Sequence, residues 1–475
     1  MNYKEFVSKP KSIIVAPAGY GKTHAIATCL KHTKGKQLIL THTHAGVASL
    51  KEKILQQDIK NKHYRVETIT GFAQKYVNAF YCGNDIPEQE DSKAYYPFII
   101  EKAKNLFKLN PIRDVINATY SGLFVDEYQD CIIGQHIFIK TLAEILPTHV
   151  LGDRLQGIFD FNGDALVDFD EDLNDFEKLP DLTEPWRWKK DNPDLGESLK
   201  KIRALLEEKR EIDLDLFKPF IEVHLVNEED KYKPKTNYKN KIWELLGENN
   251  ALIIHPISTN INVRIKFINQ FNNKFYLIEA IDEKDFYKFS KKLDKVNLNN
   301  VYTIVYDLIP DLFNGMTARN NWFNKNGVKR KKSESDINLA YSLFKDIKEI
   351  RKNISFILIS KILKQIEKLP GIKCYRKELF WNLCKALEQA EHKGILVYEA
   401  MKEIRNVKRR IGRKISGRCI GTTLLTKGLE FDTVAVLDAH KFKCPKNFYV
   451  AITRASKKLI IFTNNKILSP YKEEN

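Results

Sequence analysis

The 475-residue chain has seven cysteines but no CxxC pair, the spacing that zinc knuckles and dithiol redox motifs use. Scattered thiols of this kind read as reduced cysteines of a cytoplasmic protein. A zinc or iron–sulfur set drawn from Cys374, Cys384, Cys419 and Cys444 would have to assemble without local ligand spacing. No stretch approaches the roughly 18 apolar residues of a membrane-spanning helix, so no membrane partner is expected. The opening MNYKEFVSKPKSIIV has neither an apolar h-region nor a small-residue cleavage site, and reads as lacking a secretory leader. Glycine (21) and proline (16) are sparse, while 43% of residues are hydrophobic and 29% charged, which excludes collagenous, low-complexity and disordered chains. At about 150 residues per domain, the length suggests about three globular units.

What the chain does have is positive charge, unevenly placed. Lys and Arg number 78 against 61 Asp and Glu, a formal +17. Residues 325–418 hold 25 basic and 10 acidic side chains, a local +15; residues 114–185 hold 3 and 16, a local −13. No acid follows Glu403 in the stretch carrying Arg405, Lys408, Arg409, Arg410, Arg413, Lys414 and Arg418. Any one run is explained by a solvated helix face. Together they point to a polyanionic partner.

Three apolar segments each end in polar residues suited to phosphate chemistry. Residues 12–16 (SIIVA) run into PAGYGKT, then into an apolar-periodic helix from about Lys22 to Leu30. Backbone N–H groups of such a loop, with the helix N-terminus behind them, make an anion cradle. Lys22 suits β- and γ-phosphates, and the Thr23 hydroxyl suits Mg²⁺. The usual first glycine of the loop is Ala16 here, followed by Pro17. Leu123–Val125 deliver Asp126 and Glu127 to a strand's carboxyl end, where open α/β sheets bind ligands. Asp126 suits the metal and Glu127 the activation of water. The third strand, about 148–151, ends in Gly152–Asp153 with Gln156 three residues on, an amide able to sense a γ-phosphate. Three such strands define a RecA-like nucleotide-binding core of α/β class.

The ordered segments APAGYGKT, LTHTHAG, TITGF, VDEYQD, LGDRLQGIF, LTEPWRW, TTLLTKGLEFD and YVAITRA resemble superfamily 1 helicases of the UvrD/Rep/PcrA type, from residue 16 to 455. The resemblance implies two RecA-like P-loop domains with parallel sheets and ATP with Mg²⁺ between them. Residues 1–75 and 115–184 would form domain 1A, and 185–274 with 416–475 domain 2A. Residues 76–114 would be a reduced 1B insertion, and 275–415 a mostly helical, basic 2B-like insertion. By the same resemblance Ala16, Pro17, Ala18, Gly19, Tyr20, Gly21, Lys22, Thr23 and His24 bind the nucleotide. Thr23 and Asp126 hold the metal, Glu127 is the base and Gln156 the sensor. Trp186 stacks on the base, Glu430 contacts the ribose, and Arg187 and Arg454 are arginine fingers. Thr41, His42, Thr43, His44, Thr68, Phe72, Phe159 and Phe161 line a single-strand track, joined by Arg409, Arg410 and Arg413 of the basic run.

Some positions depart from that pattern. No Gln precedes the phosphate loop to read adenine, and Leu424 and Leu425 stand where His and Ser are usual. His42, Thr70 and Asn162 replace Phe, His and Arg. The leading reading is an ATP-dependent translocase or helicase on single-stranded DNA or tailed duplex, moving 3′ to 5′. The rival is a DNA-sensing ATPase subunit that controls a partner nuclease, as in Gabija-type antiphage systems. An RNA-directed motor is a third reading. Replacing Arg409, Arg410 and Arg413 with Ala should weaken single-stranded DNA binding and flatten its salt dependence by about two units of log–log slope. An unchanged slope in salt titrations would return the run to a solvated helix face.

Overall fold

The computed structural model describes residues 2–89, 91–158, 165–256, 260–272, 274–279, 284–314, 316–411 and 415–471. The chain divides into two compact units, Met1–Thr259 with Lys408–Asn475, and Asn260–Val407.

The first unit holds two parallel sheets with helices packed on them, the α/β architecture of two RecA-like domains. The first sheet comprises β1 (Lys11–Val15), β2 (Gln37–Thr41), β3 (Tyr64–Thr68), β4 (Gly122–Val125), β5 (Thr148–Gly152) and β6 (Glu177–Lys178), in the spatial order β3-β2-β4-β5-β1-β6. Its central strands are apolar throughout because both faces are covered. Ile14, Ile39, Phe124 and Leu151 point to one face and pack with Phe6, Ile26, Val47 and Leu50. Their neighbours Ile13, Val15, Leu38, Leu40, Leu123, Val125 and Val150 join the opposite core. That alternation is the period-two geometry of a strand. Each such side chain contributes about 1.5–3 kcal/mol by burial. Because the strands are parallel, Val15, Thr41, Thr68, Val125 and Gly152 all finish on one edge.

In the second sheet, the strands of this unit run in the order Arg418–Gly421, Ala251–Ile254, Phe431–Val436, Ala455–Thr463, Glu222–Leu225, all parallel.

Residues 76–114 behave differently from an insertion with its own body. Helices Ser92–Leu106 and Asn110–Thr119 send Tyr95, Ile99, Ile100, Ala103, Ile112 and Ile116 into the core of the first sheet. Phe72 is enclosed in the same core, its ring 5.0 Å from Tyr76, 5.8 Å from Phe107 and 6.2 Å from Tyr120. Its expected place in the single-strand track is therefore corrected: the side chain is fully buried among other rings.

The second unit is mostly helical. Helices Lys284–Leu293, Val301–Leu312, Glu334–Ile350, Phe356–Glu367 and Lys377–Lys393 enclose an apolar core that includes Phe286, Leu308, Ile362, Leu363, Leu383 and Leu387. Its basic residues are in part neutralised locally, through Lys361–Asp346, Lys364–Glu388 and Lys393–Glu403. Arg405 is not a solvent-facing member of the basic run. It is fully buried, its guanidinium 3.8 Å from the Phe286 ring centroid and 3.3 Å from Glu378.

Phe72→Ala should lower the free energy of unfolding by about 3–5 kcal/mol, measured by urea denaturation. A loss under about 1 kcal/mol would place the ring outside the core.

Candidate nucleotide site

The phosphate loop is held at both ends. At its start Ala16 N–H donates to the Gly152 carbonyl at 2.8 Å, which ties the exit of β1 to β5. Within it Tyr20 N–H donates to the Pro17 carbonyl at 3.2 Å, and Ala18 N–H donates to Asp153 Oδ2 at 3.1 Å. Gly19 and Gly21 take φ of +78° and +89°, the left-handed region that favours glycine. A Cβ on Gly19 would lie 2.5 Å from the Trp188 ring, so this glycine also permits a close approach. Gly21 caps the helix Lys22–Cys29. The Lys22 ammonium is buried, donates to the Ala16 carbonyl at 3.2 Å, and lies 3.6 Å from Glu127 Oε1. Thr23 is half-buried and His24 exposed.

Asp126 and Glu127 follow β4 directly. Asp126 Oδ1 accepts from the Glu127 N–H at 2.9 Å, and Glu127 sits at φ +56°, unusual for a non-glycine residue. Gln129 donates to Glu127 Oε2 and accepts from the Asp153 N–H at 2.8 Å, linking the ends of β4 and β5. Burial, reinforced by the neighbouring Glu127 charge, pushes the Asp126 carboxyl well above the usual range. Burial pulls Glu127 the same way. Lys22, Lys427, the Gln129 hydrogen bond and Arg454 outweigh it and hold Glu127 below its usual range. The surroundings thus push the two neighbouring acids in opposite directions. Gln156 donates from Nε2 to Asp153 Oδ2 at 2.7 Å and accepts at Oε1 from Arg454 at 3.4 Å.

The second half of this unit supplies the remaining groups. Arg187 donates its backbone N–H to the Gly19 carbonyl at 2.9 Å. Its guanidinium pairs with Glu430 Oε2 at 2.9 Å and donates to the Thr453 carbonyl. Trp186 is 58% exposed beside Gly21, and the Lys189 ammonium lies 4.3 Å from its ring centroid. Arg454 is buried, donating to the Val450 carbonyl at 2.9 Å and the Leu429 carbonyl at 3.1 Å. Burial and the adjacent Arg187 lower it to about 10.

No family model matches the chain, and no curated protein matches it. Solved structures do. The arterivirus nonstructural protein 10 helicase is similar in a complex with DNA (10% identity, TM-score 0.33) and in a second structure (9%, 0.32). Each match covers 97% of this chain and only 62% and 61% of the helicase, so the chain spans about three-fifths of their length. The fold assignment rests on the two parallel sheets themselves.

The groups expected to hold a divalent cation are of the hard-oxygen type that Mg²⁺ takes. Asp126 has one carboxylate oxygen engaged by a backbone N–H, and the Thr23 hydroxyl starts the helix that follows the loop.

The expected single-strand contacts are differently disposed. Thr41 is buried, and its hydroxyl has no hydrogen-bond partner among the described residues. Thr43 and Thr68 spend their hydroxyls as helix caps, accepting from Gly46 N–H at 2.9 Å and Gly71 N–H at 3.0 Å. Capping uses an oxygen lone pair and leaves each O–H able to donate, so it does not remove either residue from contact with a phosphate. His42 lies 3.3 Å from Cys131 Sγ, and burial with the nearby Lys427 charge lowers it to about 3, a neutral ring. His44 is half-buried at the start of helix His44–Leu55. Phe159, Phe161 and Arg413 lie outside the described residues, as do the side chains of Arg409 and Arg410.

Several residues of the site went unassigned in the sequence. Lys427 is buried, pairs with Asp130, and donates to the Gln156 carbonyl. Asp130 is pushed up to about 7 by burial, against the opposing Lys427 charge. Both stand inside segments already singled out, KGLEF and DEYQD, so membership of a motif was the available signal. Arg203, which grips Asp153, left no such signal, since it is one of many basic residues of an ordinary amphipathic helix.

Lys427→Met should destabilise the fold by about 3–5 kcal/mol, because Asp130 is left buried without its partner. The double variant Lys427→Met with Asp130→Leu should recover most of that loss in denaturation experiments. Equal losses in the two proteins would rule out the pair as the cause.

Proposed function

We propose that this chain is an ATP-hydrolysing motor on single-stranded nucleic acid, most simply a DNA translocase or helicase running 3′ to 5′. The observation that supports it most is convergence. Lys22, Asp126, Glu127 and Gln156 from the edge of one sheet meet Arg187, Glu430 and Arg454 from the other half of the same unit.

In this reading the loop N–H groups and Lys22 bind the β- and γ-phosphates, and Trp186 carries the base. A divalent cation held by Thr23 and Asp126 would neutralise charge on the phosphate oxygens. Glu127, kept ionised, takes a proton from the attacking water as its oxygen bonds to the γ-phosphorus. The bond to the β-phosphate oxygen breaks, and ADP leaves with the electron pair. Arg454 and Arg187 offset the charge spreading over the transferred group. Gln156 touches Arg454 and Asp153 together, so it can report the state of the γ-phosphate to the second sheet. Single-stranded DNA as the track is supported by the basic excess of residues 325–418. Regulation of a partner nuclease is the second reading. It is favoured by residues 76–114, which cover the first sheet instead of building a separate strand-handling body.

ATP hydrolysis should rise with added single-stranded DNA, and Lys22→Ala or Glu127→Gln should lower kcat by about 10³-fold or more. A motor should also displace a block from the 5′ end of a bound strand. Stimulated hydrolysis without displacement would select the sensing subunit, and hydrolysis indifferent to nucleic acid would sink the track.

A further inference from the structure

Asp153 is fully buried and serves four clients, one of them the Leu155 N–H, which donates to Oδ1 at 3.2 Å. Its Oδ2 accepts from the Ala18 N–H of the phosphate loop at 3.1 Å and from Gln156 Nε2 at 2.7 Å. Both oxygens also take the same guanidinium nitrogen of Arg203, at 2.8 Å and 2.9 Å. Arg203 stands on helix Pro193–Glu207, beyond the phosphate-loop sheet in sequence, and is only 11% exposed. Its guanidinium carbon lies 5.2 Å from the ring centroid of Tyr449, and its Nη2 is 2.9 Å from Glu207. Tyr449 belongs to helix Pro445–Ile452, which leads into Arg454. The other end of the Gln156 amide meets Arg454.

These contacts close a loop of named groups. Arg203 holds Asp153, Asp153 holds the Gln156 amide by its nitrogen, and the Gln156 oxygen faces Arg454. An amide pinned at one end can present its oxygen in one direction only. A buried carboxylate keeps both lone-pair sets aligned only while a cation opposes its charge. Without Arg203, the Asp153 carboxylate would be a buried charge held only by the Ala18 and Leu155 N–H groups and the Gln156 amide, and its hold on that amide would weaken.

We propose that Arg203 is a positioning residue for phosphate transfer, acting through Asp153 to orient Gln156 toward Arg454. This inference rests on the ATP-hydrolysing reading above and adds a specific route to it. Arg203 itself is directed at Asp153, Tyr449 and Glu207 and touches no nucleotide-binding group directly. Its effect therefore passes through the sensor amide.

The route is tested by a double-mutant cycle on the full chain, with steady-state Mg·ATP hydrolysis as the readout. Arg203→Gln should lower kcat by roughly ten- to a hundredfold while KM moves less than about threefold. In a Gln156→Ala background, the same replacement should lower kcat by less than about twofold, because the group it orients is already gone. A purely structural Arg203 would give the same loss in both backgrounds, and that additivity would overturn the proposal. An unchanged kcat in the single variant would overturn it as well. Should Arg203→Gln fail to fold, Arg203→Lys carries the same cycle, since it leaves a cation beside Asp153 without the fixed guanidinium geometry that also engages Glu207 and Tyr449. The unaltered chain is the control that separates the two ideas. Active unaltered chain with an additive cycle removes only the Arg203 route, whereas an unaltered chain that does not hydrolyse Mg·ATP removes the underlying reading and this route with it.

Discussion

Charge compensation in a nearly dry cleft is the constraint on which the first unit depends. Asp126, Asp130 and Asp153 are all buried, and Glu127 is half-buried among them. Carboxylates removed from water are tolerated when cations and N–H donors stand against them. Here the cations come from three distant stretches: Lys22 from the phosphate loop, Arg203 from a helix of the following half, and Lys427 and Arg454 from the last 50 residues. The acids lie between residues 126 and 153, so neither half of this unit satisfies its own electrostatics.

The same arrangement separates two chemically alike acids. Asp126 and Glu127 are consecutive, yet one is driven toward its protonated form and the other toward its ionised form. The difference comes from direction. The left-handed backbone at Glu127 turns its side chain to Lys22 and Gln129, while Asp126 keeps its oxygen against a backbone N–H. Backbone strain at a residue facing charged partners is a known companion of function. The glycine pair in the loop serves a related purpose, since Gly19 admits Trp188 and Gly21 starts the helix that carries Lys22 and Thr23.

A second theme is competition for side-chain atoms. Residues whose type suits nucleic-acid contact are in several cases engaged by the fold itself. Thr43 and Thr68 cap helices, Phe72 fills a core, and Arg405 lies over Phe286. Each has a local physical cause: orphan N–H groups at a helix start, a strand-facing position on an amphipathic helix, or a long cation whose stem packs on a ring. Residue type and motif spacing do not reveal which demand wins. Burial does.

By itself the sequence determined the α/β class and the three strand ends expected to carry phosphate chemistry. Those features depend on short-range patterns: continuous apolar runs for strands covered on both faces, and glycines where the backbone must turn left. Lys22, Asp126, Glu127 and Gln156 were legible as candidates because each stands in the turn or loop that follows such a run. Only the tertiary structure decided that residues 76–114 belong to the core of the first sheet. It alone decided that Lys427 faces Asp130 and that Arg203 holds Asp153. Partners separated by 50 to nearly 300 residues leave no periodic trace, since ion pairing is set by where two elements finish in space and not by spacing along the chain.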